Sequence, residues 1–413
     1  MNTTSKLHIP TPPARPGDKP DFSQLSISPA GAVARPPSDA RVRDIYSLSN
    51  ELVRVLDDTH TAVGPWDPKL SPDELRRGLR WMLQTRIFDE RMQRVQRQGK
   101  ISFYIRAAGE EAIAVAQGMA LEPSTMLFPS YRMHALQFVR DIPMVDLMCQ
   151  CLSNTRDMCK GRQLPVFYHS VPGNLFSTSG NVTTQLPHAV GWAMAAAIKG
   201  EDRIAAGWIG EGSSAEADFH YAMTFASVYQ APVVLNIVNN QWAISTYQGF
   251  AGGDRATFAA RGPGYGMPGI RVDGNDFLAV YAVTQWAQER AKNGGGPTLI
   301  ELFTYRAAAH STSDDPSRYR PKDEAQAWPL GDPLERLKQH LIKLGEWSDE
   351  QHKALAAELD KEVAVAWKEA IKYGTLTDEP RLDRSLMFED VFKEMPANLA
   401  QQREELKTEQ GAN

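Results

Sequence analysis

Between residues 186 and 305 the chain alternates between helix-patterned stretches and short apolar runs. LPHAVGWAMAAAIKG precedes RIAAGWI, and SAEADFHYAMTFASVYQ precedes APVVLNIV; a run near IRVD, the stretch DFLAVYAVTQWAQERAK and the run PTLIELFTY complete the series. An apolar run without polar alternation has both faces buried, as in a parallel strand, and each return to a parallel neighbour requires a crossover, usually a helix. The alternation therefore predicts an α/β fold, a parallel sheet flanked by helices on both faces. In such sheets ligands bind beyond the carboxyl ends of the strands, where GEGSS, NNQWAIST and TYRAAAHSTSDD should fall.

The rest of the chain is arranged around that core. With 413 residues, 42% hydrophobic and 23% charged, there is material for a large buried interior. A net charge of −5 with the signs mixed argues against nucleic acid, and neither a polybasic anchor nor a transmembrane run points to a membrane. Residues 1–45, which include HIPTPPARPGDKP and SPAGAVARPPSDAR, are expected to be an extended arm, either a free tail or a strap across a partner. Residues 46–325 should hold the α/β domain, beginning with a long helix from Ser71 to Gly99, then the helix GEEAIAVAQGMA, the turn FPSYR and further helices to about residue 160. Residues 326–413 read as a helical region suited to subunit contacts, with a Ser348/Gln351 capping box. Cys149, Cys151 and Cys159 lack metal-ligand spacing and are expected to be reduced thiols in a helical core; with no leader pattern either, a cytoplasmic location is the default expectation.

The turn WIGEGSSAE carries the chemistry. Gly210-Glu-Gly212-Ser-Ser-Ala215 fits G-x-G-x-x-A between a strand and a helix, and Ser213 with Glu216 reads as a capping box whose free N–H groups would attract phosphate. Two features weigh against a nicotinamide cofactor. The next strand ends Val238-Asn239-Asn240, without an acid for a ribose hydroxyl, and Glu211 would repel a pyrophosphate directly. A divalent cation between carboxylate and phosphate removes the conflict, because Mg²⁺ takes oxygen ligands and commonly bridges the two. Asn240, about thirty residues after Gly210, can supply an amide oxygen, and the Trp242 carbonyl a third ligand.

With GEG and NN in place, the sequence resembles thiamine diphosphate enzymes, whose usual Gly-Asp-Gly to Asn-Asn motif has Glu as a variant. SFYIRAAGEEA, FPSYR, KGRQLP, TQLPHAVGWA, NNQWAIST, TYRAAAHSTSDDPSRYR and MFEDVFKEMP together resemble alpha subunits of the decarboxylase component of branched-chain 2-oxo acid dehydrogenases, over most of residues 75–400.

The resemblance implies a thiamine diphosphate-binding fold and a set of site residues. Tyr131 and Arg132 would contact the diphosphate, a guanidinium offering it parallel donors. Gly210, Gly212 and Ser213 would lie on the same group, Gly180 and Val182 near the aminopyrimidine, and His310 beside the reactive end, as cofactor contact and catalytic group. Glu211, Asn240 and Trp242 would hold Mg²⁺. Ser179, Thr184 and Gln185 would form a monovalent-cation site, for which K⁺ is the candidate, although the middle of this segment departs from the usual Ser-Pro-Leu-Ala. Phe103 and Tyr104 would wall the substrate pocket. Val238 stands where some relatives carry an arginine, and Ser311 where animal relatives carry a phosphorylated serine. The resemblance further implies oxidative decarboxylation of branched-chain 2-oxo acids with acyl transfer to a lipoyl group. The partners would be a beta subunit in an α2β2 heterotetramer and a lipoyl-bearing acyltransferase. A pyruvate or acetoin dehydrogenase alpha subunit, an NAD-binding Rossmann oxidoreductase and a non-catalytic scaffold subunit are the alternatives.

Overall fold

A computed structural model describes residues 7–411. In chain order its strands are β1 (Leu52–Val53), β2 (Met126–Phe128), β3 (Ala205–Gly210), β4 (Val233–Asn239), β5 (Trp242–Ala243), β6 (Thr246–Tyr247), β7 (Gly269–Asp273) and β8 (Thr298–Phe303). Six of them form one sheet in the order β1-β7-β8-β4-β3-β2, every pairing parallel, while β5 and β6 make a small antiparallel hairpin. The four inner strands are the apolar runs of the sequence. The edge strands β1 and β2, two and three residues long, are too short to show a run and were not expected.

The helices are α1 (Pro72–Arg97), α2 (Glu111–Ala120), α3 (Ala135–Val139), α4 (Met144–Leu152), α5 (Gln185–Ile198), α6 (Ala217–Val228), α7 (Arg261–Gly264), α8 (Phe277–Lys292), α9 (Pro333–Lys343), α10 (Asp349–Ala370) and α11 (Ala397–Gly411). Helix α1 starts where Ser71 and Glu74 form a full capping box with Pro72 at the first position. Helices α2 and α8 cover one face of the sheet and α5 and α6 the other, so most of α8 is buried, including Phe277 and Trp286. Each of those two side chains contributes about 1.5–3 kcal/mol of burial. The N-cap of α8 is Asp276, whose Oδ1 accepts from the Leu278 and Ala279 N–H groups and whose Oδ2 accepts from Val55 and Leu56 at 2.8 and 2.6 Å. One buried carboxylate thus closes a helix and fixes the chain leaving β1.

The flanking regions are less separate than the sequence suggested. The arm packs on its own chain: Trp286 Nε1 donates to the Pro36 carbonyl at 2.9 Å, Arg290 to that of Ser38 at 2.8 Å, and Phe22 meets Trp328 edge-on at 5.2 Å. At the other end, Leu334, Leu337 and Leu341 of α9 belong to the same core as Phe277, and α10 lies along α1, where Arg80 reaches Glu358 and Glu362. Exposed pairs of that kind are worth about 0–1 kcal/mol each, so apolar burial holds these helices. At α10, Ser348 accepts from the Gln351 N–H, the expected half of the capping box. Cys149 and Cys151 are buried in α4, with thiols pushed by burial up to about 11 and about 12; Cys159 lies in a turn rather than a helix, its Sγ 3.3 Å from His169 Nδ1. Among the described residues no helix is long and apolar enough to cross a membrane.

Candidate active site

The carboxyl ends of β3, β4 and β8 bring the quoted turns together. Gly210 ends β3 opposite Val238 of β4, so Glu211 begins its turn beside the Asn239–Asn240 corner, and the Asn240 N–H points to Glu211 Oε2 at 3.4 Å. The β5–β6 hairpin folds back over the turn so closely that a Cβ on Gly212 would stand 2.4 Å from that of Ala243. Glycine is required there by this approach rather than by its dihedral angles.

One expectation fails locally. Ser213 does not cap a helix: residues Gly212–Ala215 form a 3-10 turn, and α6 starts afterwards with Glu216 as an extended N-cap that makes no side-chain cap bond. The β3–α6 link is therefore a nest rather than a helix end. Its first N–H groups have no partner within so short a turn and remain donors for an anion. Thr183 Oγ1 donates to the Ser213 carbonyl at 2.8 Å and Arg261 to that of Ser214 at 2.8 Å, fixing the turn from both sides.

Glu211 is the anomaly of this site. It is buried, its Oε1 has no hydrogen-bond partner, and burial pushes its pKa up to about 7. An orphaned buried carboxylate oxygen carries a desolvation penalty, and a bound cation would remove it. Asn240, also buried, turns its Nδ2 away to Glu110, and its Oδ1 accepts only a long bond of 3.3 Å from the Trp242 N–H. The Trp242 carbonyl accepts from Arg306 Nη1 at 2.7 Å, which uses one of its two lone pairs. One carboxylate, one amide oxygen and one carbonyl suit Mg²⁺ with phosphate and water completing its shell. Among the described residues no cluster of three His, Cys, Asp or Glu gathers as a metal site.

Across from Glu211 stand the cations. Buried Arg132 places Nε 3.2 Å from Glu110 Oε1, donates from Nη1 to the Arg106 carbonyl and from Nη2 to the His310 carbonyl at 3.2 Å. Tyr131 stacks on Phe167 at 6.4 Å and meets the His310 ring edge-on at 5.9 Å. Phe167 in turn lies against Gly180, so the 179–185 segment reaches the same site. In that segment Val182 is exposed, Thr184 donates to the Asn181 carbonyl, and Gln185 is buried with its Oε1 unpartnered and its Nε2 3.4 Å from the Ser179 carbonyl. Gln185 Oε1 is thus a second oxygen without a partner.

His310 is half-buried, and burial together with the cations of Arg132 and Arg306 pushes its pKa down to about 3. The ring is therefore neutral at physiological pH, with Nδ1 3.5 Å from Arg132 Nη2. The unfolded chain binds a proton near pH 6.5, so this group contributes stability above about pH 6.5 that is lost as pH falls toward 3. We expect His310→Gln to lose less stability than the parent between about pH 6.5 and 4; urea midpoints that fall in parallel for the two proteins would refute this.

Tyr104 is not a pocket wall. Its side chain is fully buried, with its hydroxyl on Asp89 at 2.7 Å and Asp89 also bonded to His134 at 2.8 Å. Of the aromatic pair only Phe103 keeps partial exposure. Two site residues were missed from the sequence, Glu110 and Arg306. Adjacent carboxylates inside the apolar AAGEEAIAVA and an arginine closing a buried strand in FTYRAAA were the available signals. Arg306 ties together the carbonyls of Trp242 and Ile244 and the Tyr319 hydroxyl. Two sizeable cavities, about 830 Å³ between α4 and α10 and about 540 Å³ under the arm at Trp286, lie away from this cluster.

Known proteins resemble the chain along nearly its whole length. The profile described as "Dehydrogenase E1 component" matches residues 79–379, and the one described as "2-oxoisovalerate dehydrogenase E1 alpha subunit N terminal" matches residues 3–42, the arm. The 2-oxoisovalerate dehydrogenase subunit alpha of Pseudomonas aeruginosa is 56% identical over 401 residues, 97% of this chain and 98% of the relative. The mitochondrial 2-oxoisovalerate dehydrogenase subunit alpha of Mus musculus is 40% identical over 86% of this chain and 79% of its own, and that of Dictyostelium discoideum 40% over 82% and 76%. A nest with a buried acid at the sheet's carboxyl edge, and relatives matched from arm to C-terminal helices, place the chain in the dehydrogenase E1 component family, among its 2-oxoisovalerate dehydrogenase alpha subunits.

Proposed function

We propose that this alpha subunit of a branched-chain 2-oxo acid dehydrogenase holds the diphosphate end of thiamine diphosphate through Mg²⁺, with Glu211, Asn240 and the Trp242 carbonyl as metal ligands. The observation that carries this reading is buried Glu211, whose Oε2 meets the Asn240 N–H while its Oε1 has no partner. Thiamine diphosphate, when bound, supplies the nucleophilic carbon and the electron sink for decarboxylation. This chain's residues bind and orient. Arg132 and the N–H groups of Gly212 and Ser213 would hold phosphate oxygens, and Gly180 and Val182 would lie against the pyrimidine. Ser179, Thr184 and Gln185 would hold K⁺ beneath that loop, where Gln185 Oε1 lacks a partner. Neutral His310, aimed by Arg132, would accept or donate a proton at the substrate or the lipoyl acceptor.

The reading places the acid that serves the pyrimidine on a beta subunit in an α2β2 assembly, with a lipoyl-bearing acyltransferase as acceptor. Apolar side chains exposed on α6, Tyr221, Phe225 and Val228, support contact with a partner. Assayed alone with Mg²⁺ and thiamine diphosphate the chain should show no turnover, and adding the beta partner should restore it; full turnover by the single chain would sink the two-subunit reading. Substrate preference rests on Phe103 and on the names of the relatives. In the assembled complex 3-methyl-2-oxobutanoate should outperform pyruvate in kcat/KM by at least about ten-fold, the discrimination expected for extra methyl groups in an apolar pocket.

A further inference from the structure

Glu110 takes no part in the reading above, yet it is buried at the centre of the site. Its Oε1 lies 2.8 Å from Asn240 Nδ2 and 3.2 Å from Arg132 Nε, so one oxygen touches both the expected metal ligand and the expected phosphate ligand. The Asn240 amide presents its NH₂ to this carboxylate oxygen, which accepts from it. Asn240 is thereby left with Oδ1 pointing away from Glu110, where it accepts only the 3.3 Å bond from the Trp242 N–H, and Arg132 is held on the same Glu110 oxygen through Nε. We propose that Glu110 is a positioning residue that fixes the Asn240 amide in its metal-binding orientation and aims Arg132 at the diphosphate. This rests on the reading of Glu211 and Asn240 as metal ligands. Partners of metal ligands typically govern affinity by about 10–100-fold.

The test uses the assembled alpha–beta complex saturated with thiamine diphosphate, with Mn²⁺ as the probe ion read by electron paramagnetic resonance. Glu110→Ala should weaken Mn²⁺ binding by at least about ten-fold. Asn240→Asp sets two carboxylates against each other and should weaken it comparably. The pair Glu110→Gln with Asn240→Asp restores a donor beside an acceptor with the roles exchanged, and should recover most of the affinity that Asn240→Asp loses. A purely structural Glu110 would lower the melting temperature of the ligand-free complex without this rescue. If the pair binds Mn²⁺ no better than Asn240→Asp alone, or Glu110→Ala binds like the parent, the inference is overturned. Glu211→Ala separates the two layers: unchanged Mn²⁺ affinity there overturns the metal-site reading itself, whereas loss there with unaffected Glu110 variants overturns only the role of Glu110.

Discussion

Glu211→Ala in the assembled complex should abolish metal-dependent binding of thiamine diphosphate, a loss of at least about 100-fold, because a direct ligand matters more than the outer partners worth 10–100-fold. The same substitution should leave the ligand-free complex as stable as its parent, or more stable. Oε1 is buried without a partner and burial pushes the carboxyl up to about 7, so the side chain costs free energy in the empty site. Function at the expense of stability is the usual arrangement at a binding centre. Asn240→Ala should behave differently. It should lose the metal too, but it strands Glu110 without its hydrogen-bond donor, leaving only the ion pair with Arg132, and should destabilise by about 1–3 kcal/mol. Isothermal titration with cofactor, together with thermal melting of both ligand-free variants, decides this; a large drop in melting temperature for Glu211→Ala would show that the carboxylate is structural.

Arg336→Ala carries the largest expected effect on stability. Its buried guanidinium bonds Asp273 at 2.7 Å and the Leu56 carbonyl at 3.2 Å and approaches Asp276 to 3.5 Å, joining α9 to the end of β7 and the cap of α8. Asp273 and Asp276 are both fully buried, and Arg54 approaches Asp273 only to 3.5 Å. Removing one partner of such a buried group leaves charge uncompensated and typically costs about 3–5 kcal/mol. Denaturant unfolding of the assembled complex should show that loss. Because the contacts of Arg336 do not include the proposed metal ligands, Mn²⁺ affinity in the surviving folded fraction should stay near that of the parent. A change below about 1 kcal/mol, the range of exposed pairs, would mean that the network is replaced by water.

How far the site could be read beforehand depended on how local each signal was. Glu211 and Asn240 were legible because each sits at a strand end, and adjacent parallel strands place such ends side by side. The Ser213 cap was misread because S-x-x-E is a pattern of spacing, while the hairpin pressing on Gly212 imposes a tight 3-10 turn that no local pattern encodes. Tyr104 was misplaced for a related reason: an aromatic beside a polar loop suits a pocket wall as well as a core, and only its bond to Asp89 shows which. Glu110 and Arg306 stood within the quoted motifs but had no role, since their partners lie 130 and 64 residues away in sequence.

The sequence by itself determined the parallel sheet and the order of helices and strands through its centre, because burial on two faces leaves few solutions. The tertiary structure alone decided which way the Asn240 amide faces, that His310 is neutral, and that the arm, α9 and α10 pack against the α/β domain. Those outcomes are set by partners brought together from distant segments, and by the loss of water around them, neither of which a stretch of chain carries within itself.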